Sequence, residues 1–202
     1  CWDRVNFVAS IDGAAQDERG VSGGLGGPDD TAIFAVLRSL ADVIVVGAST
    51  ARTEGYGPVK ASELNSEVRS QASTRATPPI AVVSRTLDIP PALAREGQIL
   101  ITTESSNAEK RALLASSMDV IVAGESDIDW TLALSELAAR GLLRVLCEGG
   151  PHIFGELIAA DLVDEVCLSI ATVLTAGSAT RIARGPLSPP RSMRLVDSIS
   201  GD

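Results

Sequence analysis

Aromatic side chains are scarce: Phe, Trp and Tyr together make up 3% of the 202 residues. A core must then be built from Val, Ile, Leu and Ala, the diet of parallel strands covered by helices. The chain has three cysteines, no Cys-x-x-Cys pair and one histidine, which excludes a disulfide framework and a zinc site. Positive charge is also short. A net charge of −9 argues against binding nucleic acid or an acidic membrane surface, since phosphate backbones demand clustered Lys and Arg. A phosphate ligand would have to be held by local arginines, backbone amides and helix ends. With no signal-like start and no long apolar run, a cytoplasmic protein is expected. What remains is ordinary globular composition, 45% hydrophobic and 21% charged, and the length fits one domain spanning 1–202. Cys147 and Cys167 lie inside apolar runs and read as inert core thiols.

Strand-like and helix-like segments alternate along the chain. Strands are predicted at 4–10, 42–47, 80–84, 98–102, 119–123, 144–148 and 164–170. "DDTAIFAVLRSLA" places Ile33, Phe34, Leu37 and Leu40 on one helical face behind an aspartate N-cap. "DWTLALSELAARG" runs from an acidic start to a stop at Gly141. Residues 58–79 are polar and read as a surface loop or short helix. "MRLVDSISGD" (193–202) reads as a last strand. The order is α/β with a mostly parallel central sheet flanked by helices.

Five stretches fall at predicted strand ends, where open α/β sheets bind ligands. In "LLRVLCEGGPHIFGELIAADLVDEV" (142–166), a buried run stops at Glu148-Gly149-Gly150 and restarts as a helix at Pro151. Paired glycines allow close backbone approach and a helix start favours phosphate, although a plain glycine turn has the same look. "VNFVASIDGAA" (5–15) runs into Asp12-Gly13, which a simple turn also explains. "SGGLGGPDD" (22–30) lacks the Gly-x-Gly-x-x-Gly placement of a dinucleotide fold and reads as a lid or a flexible loop. "VIVVGASTARTEGYGP" (43–58) opens through Gly47 into Ser49 and Thr50, either as an N-cap or as a pyrophosphate contact. In "IAVVSRTLD" (80–88), Ser84 and Arg85 suit a monoester phosphate such as the 2′-phosphate of NADPH.

Taken in order, "VNFVASIDG", "LRSLADVIVVGASTARTEGYGP", "VVSRTLDIP" and "VLCEGGPHIFGELIAADLVDEVCLS" resemble the reductase domain of the bifunctional riboflavin-biosynthesis deaminase/reductase. The likeness covers nearly the whole chain and is closest to stand-alone, actinobacterial-type pyrimidine reductase-like members. It implies a dihydrofolate reductase-like fold, a homodimer, and NADPH-dependent reduction of the ribose of a 5-amino-6-(phosphoribosylamino)uracil to a ribityl chain.

The resemblance also implies roles. Ser22, Arg38 and Glu148 match substrate-binding positions. Ala9, Gly24, Thr50, Glu54, Ser84 with Arg85, and the turn Gly149, Gly150, Pro151, His152, Ile153, Phe154, Gly155 and Glu156 match cofactor-contact positions. No metal is implied. Asn6 stands where the bacterial bifunctional enzymes carry a lysine near the reacting sugar, and with Glu148 it is the catalytic candidate. The family's substrate-side arginine after "DDP" is missing, the chain reading "EGYGPVKA". Two alternatives stay open. Asp30, four residues before Phe34, resembles the acid-then-phenylalanine spacing that dihydrofolate reductases use for a pterin, although an aspartate there also caps a helix. The other is a non-enzymatic NADPH-binding domain.

Overall fold

The computed structural model describes residues 1–72 and 75–201. Seven strands form one sheet: β1 (Trp2–Ser10), β2 (Val43–Gly47), β3 (Ile80–Val83), β4 (Ile99–Thr102), β5 (Asp119–Val122), β6 (Arg144–Cys147) and β7 (Glu165–Ala171). All pairings are parallel, in the order β5-β4-β3-β2-β6-β1-β7. The helices are α1 (Pro28–Leu40), α2 (Ala48–Thr53), α3 (Ser66–Ala72), α4 (Ala108–Ala115), α5 (Trp130–Ala139) and α6 (Pro151–Ala159).

Period-two alternation in the strands feeds two cores, one on each face of the sheet. Val43, Val45, Ala81, Ile101, Val145 and Cys147 face one side, where Trp130, Leu134 and Leu137 of α5 and Ile153, Phe154 and Leu157 of α6 cover them. Ile44, Val46, Ile80, Val82, Leu100 and Leu146 face the other, under Leu37 of α1 and Ala48 and Ala51 of α2. Because both faces are buried, the strands read as continuous apolar runs, and so they were legible despite the shortage of aromatics.

The chain leaves β1, skips one place, lays β2 to β5 outward, then returns to insert β6 between β2 and β1 before adding β7 beyond β1. The carboxyl ends of β1, β2 and β6 therefore meet at the point where strand order reverses, the place such sheets reserve for ligands.

Three local expectations need correction. The N-cap of α1 is Gly27, with no side-chain cap bond, and Asp29 and Asp30 lie in the first turn, where Pro28 sets the start and acidic charge suits the helix dipole. Residues 193–201 form no strand: no neighbouring strand satisfies their backbone, and Leu195, Val196 and Ile199 are exposed. Cys167 is only half-buried, on edge strand β7 and packed against the margin of one core, whereas Cys147 is fully enclosed and burial pushes its thiol up to about 12. Of the two readings of 58–79, the short helix is the one found, as α3, with residues 73 and 74 outside the described set. No helix among the described residues is long and apolar enough to cross a membrane.

Candidate active site

A cavity of about 900 Å³ opens over the ends of β1, β2 and β6. Asn6 and Phe7 reach it from β1, Gly47 from β2, and Glu148, Gly149 and Gly150 from the turn after β6. Ser22, Gly23 and Gly26 of the glycine-rich loop and Asp30, Phe34 and Arg38 of α1 close it on one side.

At one end stands a buried polar network. Arg38 grips Glu148 with both prongs, Nε donating to Oε1 at 2.8 Å and Nη2 to Oε2 at 2.7 Å. The Tyr56 hydroxyl donates to the same Oε2 at 2.8 Å, and Arg38 Nη1 donates to Glu63 at 3.1 Å. The Arg38 guanidinium lies 4.2 Å from the Phe34 ring centre and 5.5 Å from that of Tyr56. Burial works against the charge on Arg38, but Glu148 outweighs it and holds the guanidinium charged above its ordinary value. Burial and the Glu148 carboxylate push the Tyr56 phenol well above its ordinary range, so it remains a donor. The Glu148 side chain is 1% exposed, with both oxygens occupied. Two guanidinium N–H bonds of Arg38 remain to point elsewhere.

The other end is made of backbone. A Cβ placed on Gly150 would sit 2.5 Å from Thr50 Oγ1, and one on Gly47 would sit 3.5 Å from Gly150 N. The peptide between Gly149 and Gly150 is cis. Phe7 stacks on Phe154, ring centres 5.3 Å apart, and seats the turn. The Thr50 hydroxyl and the Asn6 amide line the cavity without hydrogen-bond partners among the described residues.

The cavity wall brings together Asn6, Ser22, Arg38, Thr50, Glu54, Glu148, Gly149, Gly150, Pro151, His152 and Ile153. Glu54 also accepts the Ser22 N–H at 2.7 Å, which ties down the glycine-rich loop. Other sequence-predicted residues lie off the wall. Ala9 is buried in β1, and Gly24 packs against Asp17 and Arg19. Phe154 stacks on Phe7, and Glu156 accepts the Trp130 indole N–H at 2.7 Å. Gly155 meets the backbone of Arg184. Ser84 is buried at the end of β3, and Arg85 pairs with Asp127 in solvent. Asp12 is structural: it accepts from Ser10 and from the Thr175 and Ala176 amides, which hold it well below the usual carboxylate range.

Sequence reasoning missed Tyr56, Glu63 and Lys60 on the Arg38 side, and Thr180 and Arg184 on the other. Tyr56 did carry a signal, as the one tyrosine in a chain nearly devoid of aromatics. The 180–184 stretch carried none, having neither helix nor strand period.

An open parallel sheet, helices on both faces and a cavity over the reversal of strand order define an α/β protein with its ligand site at the topological switch point. Within that class the chain belongs to the RibD C-terminal domain family, whose model matches residues 2–200. It is 28% identical over 188 residues to a 2,5-diamino-6-ribosylamino-4(3H)-pyrimidinone 5′-phosphate reductase of Archaeoglobus fulgidus, covering 86% of this chain and 81% of that one. It is 30% identical over 182 residues to the reductase of the same name from Methanothermobacter thermautotrophicus, covering 88% and 80%. Among solved structures it is similar to a pyrimidine reductase-like protein from Corynebacterium diphtheriae, with a TM-score of 0.73, 29% identity, and coverage of 90% of this chain and 78% of that one. The fold is the dihydrofolate reductase-like α/β fold that the resemblance implied.

Proposed function

We propose that this protein is an NADPH-dependent reductase of riboflavin biosynthesis that converts the ribosyl group of a phosphoribosylaminopyrimidine to a ribityl chain. The observation that carries the reading is the division of one cavity into a backbone-lined end and an Arg38–Glu148 end, in a family whose named relatives are pyrimidine phosphate reductases. The relatives' substrate carries amino groups at ring positions 2 and 5. The uracil form implied by the sequence differs from it at position 2 and shares the phosphoribosylamino group, the part this reading places at Arg38.

The residues present fit a nicotinamide cofactor. A Cβ on Gly150 would collide with the Thr50 hydroxyl at 2.5 Å, so the glycine lets the turn lie close against Thr50 on the cavity wall, where that hydroxyl has no hydrogen-bond partner among the described residues. When bound, the cofactor supplies a hydride. The chain supplies orientation and an environment closed to water, which are most of what such a transfer demands. Asn6 offers an unpartnered amide beside Phe7, suited to a developing alkoxide or amine on the sugar. Arg38, fixed by Glu148 and Tyr56, keeps two donors for a phosphate or sugar oxygen. Ser84 and Arg85 remain the proposed contacts of the 2′-phosphate. Arg85 is paired only with exposed Asp127, a weak bond that a phosphate can displace.

The dihydrofolate and non-enzymatic alternatives gain no support. Asp30 lines the cavity, but the named relatives act on pyrimidines. The test is loss of NADPH absorbance with the diamino-pyrimidinone, the amino-uracil and dihydrofolate offered separately. Turnover of a phosphoribosylaminopyrimidine supports the assignment; turnover of dihydrofolate alone overturns it. We also propose a homodimer in the cytoplasm.

A further inference from the structure

After β7 the described chain runs on to residue 201 without helix or strand, yet it is tied back at several points, two of them between residues that line the cavity. Ala15 N donates to Thr180 O at 2.8 Å, and Arg184 N donates to Pro151 O at 2.8 Å. The second tie is built on two glycines. A Cβ on Gly155 would lie 2.4 Å from the Arg184 carbonyl oxygen, and one on Gly185 would lie 3.1 Å from the Gly155 backbone. Glycine inside a helix is unfavourable relative to alanine. Here it lets the 184–185 backbone lie directly on α6. The seat carries Arg184 to the cavity wall.

Charge shows what that position is for. Three Lys or Arg residues line the cavity: Arg38, Lys60 and Arg184. Arg38 is committed to Glu148 and Glu63. Lys60 belongs to the same end, its carbonyl accepting the Glu63 N–H at 2.9 Å. Arg184 stands apart, on Pro151 and beside the glycine turn, and its guanidinium has no hydrogen bond or ion pair among the described residues. It is therefore the one arginine or lysine, among the described residues, that the cavity offers at its backbone-lined end.

We infer that Arg184 binds the diphosphate of the nicotinamide cofactor, held in place by the Gly155–Gly185 contact. This rests on the reductase reading above. A guanidinium suits a diphosphate because its planar fork donates to two oxygens at once. It also divides the phosphate work: Arg85 discriminates the 2′-phosphate, whereas Arg184 grips what NADPH and NADH share.

The test titrates NADPH and NADH into wild type, Arg184→Ala, Arg184→Lys and Gly155→Ala, following binding by fluorescence. Removing Arg184 should weaken both dinucleotides by a similar factor, about 10- to 100-fold for a lost charged hydrogen bond. Lysine should retain part of the affinity. Gly155→Ala should lose affinity for both although the guanidinium is still present, because its Cβ cannot share space with the 184 carbonyl. Circular dichroism of each variant confirms folding, and the exposed Arg184 side chain makes its substitutions the fold-neutral arm. Arg184→Ala binding both cofactors within twofold of wild type overturns the inference. So does a loss confined to NADPH, which would move Arg184 to the 2′-phosphate. Wild type that binds neither dinucleotide would sink the reductase reading itself, a result distinct from either of these.

Discussion

Arg38 and Glu148, 110 residues apart in sequence, face each other fork to fork across the end of β6, with Tyr56 closing the remaining side of the carboxylate. An arginine held this way has a single geometry, and its free donors have a fixed aim. The pair links the fold to chemistry: the turn after β6 supplies Glu148, α1 supplies Arg38, and the segment after α2 supplies Tyr56. We propose that Glu148 works through Arg38, as a positioning residue.

Glu148→Gln keeps the size but leaves the Arg38 fork facing an amide that can accept through one oxygen only. Turnover with the pyrimidine should fall tenfold or more, and stability should fall by about 2–3 kcal/mol for a partly broken buried pair. Cofactor affinity should change by less than about twofold, because the Glu148 side chain bonds Arg38 and Tyr56 at the other end of the cavity. Tyr56→Phe removes one of the three bonds to the carboxylate and should cost about 1 kcal/mol with a smaller loss of turnover. Steady-state kinetics with cofactor titration checks both. A Gln variant with full turnover would reduce Glu148 to a turn residue.

Arg85→Ala should weaken NADPH about tenfold or more while leaving NADH unchanged, as expected for one charged hydrogen bond to the 2′-phosphate. Its present partner, Asp127, is 78% exposed in its side chain and competes poorly. Equal losses for the two cofactors would remove Ser84 and Arg85 from the site.

The strands were legible because burial on both faces leaves an unmistakable apolar run, and the turn after β6 because Glu-Gly-Gly-Pro contradicts that run. Pairings were not. Arg38 and Glu148 each stood out alone, but nothing in either neighbourhood encodes a contact that exists only after β6 inserts beside β2. Arg85 is a similar case: nothing in its own neighbourhood encodes its pairing with Asp127, 42 residues on. Gly155 reads as part of a phosphate turn, and its contact with the Arg184 backbone is encoded nowhere near it. Residues 193–202 looked like a strand because apolar alternation says nothing about whether a partner strand is present.

The homodimer proposal has a physical basis in the outer edge of β7. Its backbone is unpaired on one side, and Leu168 and Ile170 are 44% and 65% exposed. Edges of this kind are normally covered. Light scattering at micromolar concentration should give twice the chain mass, and Leu168→Lys with Ile170→Lys should shift it to the monomer. A wild-type monomer would end the proposal.

Asp3 provides the last prediction, on stability rather than catalysis. Its side chain is buried at the start of β1, and its own N–H is bonded to Asp164 at 2.9 Å. Burial, then the nearby Asp164 charge, raise its carboxyl to about 6 from an ordinary 3.8. The folded state thus holds this proton more tightly than the unfolded chain does. Well below 3.8 both states are protonated and the fold has its full stability. Between 3.8 and about 6 the unfolded chain ionises first, and by the time pH has risen through 6 and the native carboxyl ionises in place, that part of the stability is lost. At pH 7.5 Asp3→Asn should therefore be more stable than wild type by about 1–2 kcal/mol, with partial solvent screening allowed for, or roughly 2–6 °C in Tm. The advantage should vanish at pH 4, where wild-type Asp3 is already neutral. Thermal melts of both proteins at the two pH values decide it: equal Tm at pH 7.5, or an equal gap at pH 4, would mean that Asp3 ionises without cost.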